Sequence, residues 1–144
     1  MILPAILQDA ENLAQIAAGN AHSAHWQPKD FEAEIKNPAA LVLKMQTPHG
    51  ITAGFICWRY VPPAGELTNF AVSNNFLRRG LGAALLQESL KILKQKNVSE
   101  LTLEVNQNNT AAINLYNKYN FKQVSIRKKF YNGKDDALIL KGIL

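Results

Sequence analysis

Asn69-Phe70-Ala71-Val72, followed after a short spacer by Phe76-Leu77-Arg78-Arg79-Gly80-Leu81-Gly82-Ala83, is the stretch on which the fold turns. An apolar, strand-like segment passes through a loop into two glycines at the mouth of a helix. Leu81, Leu85, Leu86, Ser89, Leu90 and Leu93 keep helical spacing to about residue 96, with Lys91, Lys94 and Lys96 on the outer side. Glycines without Cβ let a backbone approach a ligand closely, and first-turn N–H groups have no helical partner. Together with the helix dipole they make an anion site suited to a pyrophosphate, and Arg78 and Arg79 add positive charge beside it. The same residues also fit a structural role, with glycines for tight packing and arginines as solvated surface. The pattern is neither G-x-x-x-x-G-K-[ST] nor the full G-x-G-x-x-G, which disfavours nucleotide hydrolysis and nicotinamide binding.

Downstream, Leu101, Leu103 and Val105 alternate with Thr102, Glu104 and Asn106, which is strand periodicity. Glu104 falls on the face opposite Leu103 and Val105. A carboxylate there is desolvated unless the sheet opens to a cleft, and desolvation raises its pKa, a useful property in a general base. Asn109 is a good N-cap for a helix holding Ala112, Ile113, Leu115 and Tyr116. Tyr116 lies two turns into that helix, placed to lean back over the strand end. The bland alternative has Glu104 facing solvent and Tyr116 in the core with a wet tip.

The remaining segments supply the frame. Asp9 fits the N-cap of a helix with Leu13, Ile16 and Ala17 on one face, ending near Gly19. Pro28 suits the first turn of a second helix, with Phe31 and Ile35 one turn apart and Asn37-Pro38 as its stop. Leu41–Met45 and Ile51–Tyr60 read as strands separated by Thr47-Pro48-His49-Gly50, and Val61-Pro62-Pro63-Ala64-Gly65 breaks the chain before the strand Glu66–Val72. Phe121–Phe130 and Ala137–Leu140 are strand-like around Asn132-Gly133, a strong hairpin signal. The expected order is ααβββαβαββ, in one mixed α/β domain covering residues 1–144.

Composition bounds the function. The chain has 144 residues, 47% of them hydrophobic and 19% charged, as in a globular domain. Its net charge is +5 and its pI about 9.4. Residues 1–75 hold four Lys/Arg against six Asp/Glu, whereas residues 76–144 hold twelve against five. A basic second half implies an anionic partner. Apolar runs are far shorter than the ~18 residues of a membrane span, so no membrane partner is expected. Met1-Ile2-Leu3-Pro4 lacks a basic region, so no signal peptide is expected, and the lone Cys57 in an apolar run fits a buried inert thiol in the cytosol. His22 and His25 have the H-x-x-H spacing but no Cys, Asp or Glu at ligand spacing, so no metal is expected. Lys128 and Lys129 lack interleaved aromatics and read as a solvated face rather than a nucleic-acid site.

The block from Gly65 to about Leu140 resembles the GNAT superfamily of acetyl-coenzyme A-dependent N-acetyltransferases. The likeness rests on Asn69–Val72, Arg78–Gly82, Leu103-Glu104-Val105, Asn109–Tyr116 and Phe121. Within that superfamily, His22-Ser23-x-x-Trp26 with Phe31, and Arg127–Tyr131 with Asp135-Asp136-Ala137, are similar to the bacterial ribosomal-protein alanine N-acetyltransferases. The resemblance implies that the Phe70, Ala71 and Val72 backbone meets the acetyl-pantetheine arm. It implies that Arg78, Arg79, Gly80, Leu81, Gly82 and Ala83 bind the pyrophosphate and that Asn109 contacts the cofactor. Glu104 would take the amine proton and Tyr116 would protonate the departing thiolate, with Trp26 and Tyr131 bounding the substrate. Acetyl-CoA would be the co-substrate. The N-terminal peptide of small-subunit ribosomal protein eighteen would be the acceptor. Separately, no helix shows a spare apolar face, so a monomer is expected. A small-amine acetyltransferase and a noncatalytic acetyl-CoA-binding module are the alternatives. Three positions depart from the family pattern: Leu77 where Gln or Arg is usual, Asn106 where Arg is usual, and Phe130 in place of a second tail tyrosine.

No Ser-His-Asp constellation or G-x-S-x-G is present, so direct transfer is expected. An α-amine of pKa about 7.8 is roughly 14% neutral at pH 7, whereas a lysine of about 10.4 is roughly 0.04% neutral. A carboxylate base acting through water therefore suits an N-terminus better than a lysine.

Overall fold

The computed structural model describes residues 1–144. In chain order its elements are β1 (Ile2–Pro4), α1 (Ala10–Ala18), α2 (Pro28–Lys36), β2 (Ala40–Gln46), β3 (Thr52–Val61), β4 (Ala64–Val72), α3 (Leu81–Gln95), β5 (Glu100–Asn106), α4 (Thr110–Lys118), β6 (Lys122–Tyr131) and β7 (Asp135–Ile143). Single 3₁₀ turns precede α1 and α3. The expected order recurs with one strand added at the front. β1 is too short to show a period; it forms because Ile2–Pro4 pair with Leu43–Met45 at the sheet edge, where Pro4 costs no ladder bond.

The strands form one mixed sheet in the spatial order β1-β2-β3-β4-β5-β7-β6. Two apolar layers lie on its faces. The larger packs Leu85, Leu86 and Leu93 of α3 against Leu43, Ile56, Trp58, Leu101 and Leu103. Ser89, on that same helical stripe, accepts the Trp58 indole N–H at 2.9 Å and donates to the Leu86 carbonyl at 2.8 Å. A polar residue inside the helix is thereby satisfied rather than stranded. The smaller layer packs Leu13, Ala17 and Phe31 of α1 and α2 against Val42, Phe55, Cys57 and Ala71.

Pro28 occupies the first turn of α2 as expected. Asp9 stands at the N-cap of α1 as expected, but its side chain makes no capping bond. Its side chain reaches back to accept the Ile6 N–H at 2.8 Å and pairs with Lys44 at 2.9 Å, both largely buried, which ties the helix entry to β2. A carboxylate with a buried cation in reach gains more there than from one exposed helix amide.

Two irregularities shape the middle of the sheet. β4 and β5 are parallel partners only at Ala64↔Glu100, Gly65↔Leu101 and Glu66↔Thr102, after which they diverge. A bulge at Thr68 shifts the β3–β4 register, so Cys57 faces Asn69 and Trp58 faces Leu67. Consequently Leu67 and Phe70 both pack toward α3, whereas Ala71 packs toward α1 and α2.

Candidate active site

Where β4 and β5 part, a cleft of about 1010 Å³ opens. One wall is the free edge of β4, including Phe70, Ala71 and Val72; the facing wall is Glu104, Val105 and Asn106 of β5. Gly82 and Leu77 lie at the end near α3, while Asn109, Leu115 and Tyr116 come from the α4 side. Opposite them stand the loop Asn20–His25 and the hairpin residues Tyr131 and Asp135.

Glu104 is neither buried in an apolar layer nor free. Its side chain is 31% exposed and pairs through Oε1 with Arg127 at 3.0 Å. Arg127 in turn lies over the Phe130 ring at 5.0 Å, and Phe130 meets Tyr131 edge-on. The sheet thus opens at Glu104, the exception that the strand reading had named.

Tyr116 is 4% exposed and packs against Phe121 and Phe70. Burial, then the nearby Tyr131, holds its phenol well above the ordinary tyrosine range. No side-chain polar atom sealed in the protein lacks a partner. The Tyr116 hydroxyl, which no protein group engages, therefore reaches the cleft. Tyr131 is also shifted upward, by burial and then by the charge of Glu104. Both phenols are protonated at neutral pH.

At the head of α3, Arg78 and Gly80 take positive φ, 62° and 73°. Gly80 is the N-cap, and no side chain caps the helix. The first amides of α3 consequently keep their donors beside two arginines, one of which, Arg79, rests over the Phe76 ring at 5.3 Å. A Cβ on Gly82 would stand 3.6 Å from Phe70, in ordinary contact on the cleft wall. Arg78, Arg79, Gly80, Leu81 and Ala83 are not on the lining, which takes only Leu77 and Gly82 from this stretch. The Asn109 side chain caps α4, accepting the Ala112 N–H at 3.4 Å.

One placement differs from the sequence reading, and one residue left without a role there gains one. Trp26 is not on the cleft lining: it is half-buried against the smaller core, edge-on to Phe31 at 5.2 Å. The five residues before it line the cleft instead. Asn106 donates to Asp135 at 3.2 Å and accepts the Asn108 N–H at 2.9 Å, so it fastens the end of β5 to the β6–β7 hairpin. The role of Asn69 went unread, although the residue stood in the quoted motif. A polar side chain inside an apolar strand was the available signal.

An uncapped helix start, a free strand edge and a deep cleft between them suit a long ligand with phosphates at one end. Residues 7–121 match the acetyltransferase (GNAT) family model. The chain belongs to the GNAT family. A [ribosomal protein bS18]-alanine N-acetyltransferase of Escherichia coli K12 is 36% identical over 124 residues, covering 83% of this chain and 82% of that protein. An N-alpha-acetyltransferase of Sulfurisphaera tokodaii is 40% identical over 77 residues, covering 53% of this chain and 46% of its own. The crystal structure of the Escherichia coli ribosomal-protein-S18-alanine N-acetyltransferase superposes with a TM-score of 0.87 at 28% identity, over 98% of this chain and 91% of the other. As a GNAT enzyme the protein is an N-acetyltransferase that uses acetyl-CoA. No helix is long and apolar enough to cross a membrane.

Proposed function

We propose that the enzyme acetylates the α-amine of an N-terminal alanine, that of small-subunit ribosomal protein eighteen, in a ternary complex in the cytoplasm. Glu104 and Tyr116 sharing one cleft is the observation that carries this reading. The α3 N-terminus with Arg78 and Arg79 would hold the pyrophosphate, Asn109 would contact the cofactor near α4, and the open edge of β4 would hold the pantetheine arm. The Phe70 N–H is already engaged by the Asn69 side chain at 3.0 Å, which leaves later amides of β4 for the thioester.

Glu104 would accept the amine proton, directly or through water, as nitrogen bonds to the thioester carbonyl carbon. The C–S bond breaks, and Tyr116 would protonate the leaving thiolate. Cys57 takes no part as an acyl carrier: it is buried among apolar side chains, and burial, then Glu34, pushes its thiol upward. Support for the peptide acceptor comes from the activity of the Escherichia coli relative and from the size of the cleft.

Incubation with acetyl-CoA and a peptide beginning with alanine tests the assignment. Glu104→Gln should lower turnover by about 10²-fold or more, most severely at low pH, where neutral amine is scarce. An unchanged pH profile in that variant contradicts the role of Glu104. A small polycationic amine is the second reading, favoured by the carboxylates of Glu66, Glu104 and Asp135 on the lining. Faster turnover of a polyamine than of the peptide would select it.

A further inference from the structure

The loop that walls the acceptor end of the cleft contains no regular structure beyond turns, yet it is tied down at three points. Asn74 donates to the Gly19 carbonyl at 2.8 Å, and the Ser23 hydroxyl donates to the Ala17 carbonyl at 2.7 Å. The third tie is the Asn69 side chain, which accepts the Ala24 N–H at 3.2 Å and donates to the Ala24 carbonyl at 2.9 Å. One amide thus pairs both backbone groups of Ala24, as a neighbouring strand would.

Asn69 is only 4% exposed, and its Oδ1 also accepts the Phe70 N–H. Its direction follows from the bulge at Thr68. A regular strand with Leu67 toward α3 would send Asn69 the same way; the extra residue turns it to the α1–α2 side, where Ala24 lies. The Thr68 hydroxyl donates to the Cys57 carbonyl at 3.2 Å and helps hold that bulge. Bulge, amide and loop form a single device.

We infer that Asn69 is a positioning residue for the acceptor: it locks the Asn20–His25 loop to the strand that holds the acetyl donor and so fixes the separation of the two substrates. It touches no reacting atom in this account. Near-attack geometry is sensitive to displacements of about 1 Å, so a loosened wall costs rate or acceptor affinity without altering the pyrophosphate end. The inference rests on the acetyl-transfer reading of the cleft and goes beyond it in assigning the acceptor wall to one side chain.

Asn69→Ala and the near-isosteric Asn69→Asp test it. Asn69→Asp keeps an acceptor for the Ala24 N–H but loses the donor to its carbonyl. Both variants should raise the acceptor KM about tenfold or more and shift the acetyl-CoA Kd less than threefold; Asn69→Ala, which also removes the acceptor of the Ala24 N–H, should speed amide hydrogen exchange at Ala24 by about tenfold or more. Ser23→Ala, which releases the same loop from its tie to the Ala17 carbonyl, should move the acceptor KM in the same direction. An unchanged acceptor KM, or an equal loss of acetyl-CoA affinity, overturns the inference; so does unchanged exchange at Ala24 in Asn69→Ala. The exchange measurement needs no acceptor. If the alanine peptide fails as a substrate while exchange at Ala24 rises, the choice of acceptor is wrong and the tie stands.

Discussion

Glu104 and Tyr116 sit in opposite environments, and that contrast suits opposite duties. The carboxylate is part-exposed and paired with Arg127, whereas the phenol is almost wholly enclosed by aromatic rings. An acid must hold its proton until a thiolate develops, as any phenol does at neutral pH; burial, then Tyr131, shifts Tyr116 further up, so in the proposed acid role it would give the proton only to a strongly basic sulfur. Tyr116→Phe should therefore lower turnover by about 10²-fold with little change in acetyl-CoA Kd, measured by steady-state kinetics and calorimetry. The same burial makes a stability statement. Above the ordinary tyrosine pKa of about 10 the unfolded chain loses the phenolic proton while the native state keeps it, so stability falls as pH rises. The contribution is fully present below about pH 10 and is lost toward the higher native value. Denaturant titrations at about pH 9 and about pH 11 should show a smaller decline for Tyr116→Phe than for the parent; equal declines contradict it.

At the scale of elements, two glycines carry different constraints. Gly80 has φ of 73° and open space around a built Cβ, so Gly80→Ala should cost only the left-handed conformation, about 1 kcal/mol. Gly142 lies in β7 with a built Cβ at 2.8 Å from the buried Phe121 ring, so Gly142→Ala should cost about 1–3 kcal/mol through overpacking. Urea midpoints check both. The long helix α3, the alternating β5 and the Asn109-capped α4 were legible because each keeps its period over a full element. The Asn132-Gly133 hairpin was legible from turn chemistry, and both residues take positive φ. β1 was not, since three residues paired at an edge carry no period. Nor was the inward turn of Asn69, because a bulge reverses side-chain parity and depends on pairing with β3. Trp26 read as a substrate wall, but its apolar ring was claimed by Phe31 and the smaller core.

For the molecule as a whole, the charge imbalance of the sequence resolves into separate local tasks. Arg78 and Arg79 flank the uncapped α3, Arg127 pairs with Glu104, and Lys128 pairs with Asp136 at 3.6 Å. On the proposed reading, a coenzyme with several phosphates would account for the first pair. Binding of acetyl-CoA to the folded state alone should add about 2.7 kcal/mol at a hundred times the low-salt Kd, a rise in Tm of roughly 8 °C, and at that same coenzyme concentration the rise should shrink in high salt, where Kd is weaker. Thermal unfolding with and without the coenzyme measures it. A salt-independent shift contradicts a phosphate site built on these arginines.

The most direct test is mass spectrometry of an alanine-initiated peptide after incubation with enzyme and acetyl-CoA, with fragment ions locating the modification. The account predicts one acetyl group on the terminal α-amine, and its near-complete loss with Glu104→Gln. Acetyl on lysine side chains alone, or none on the peptide while a polyamine is modified, would contradict it.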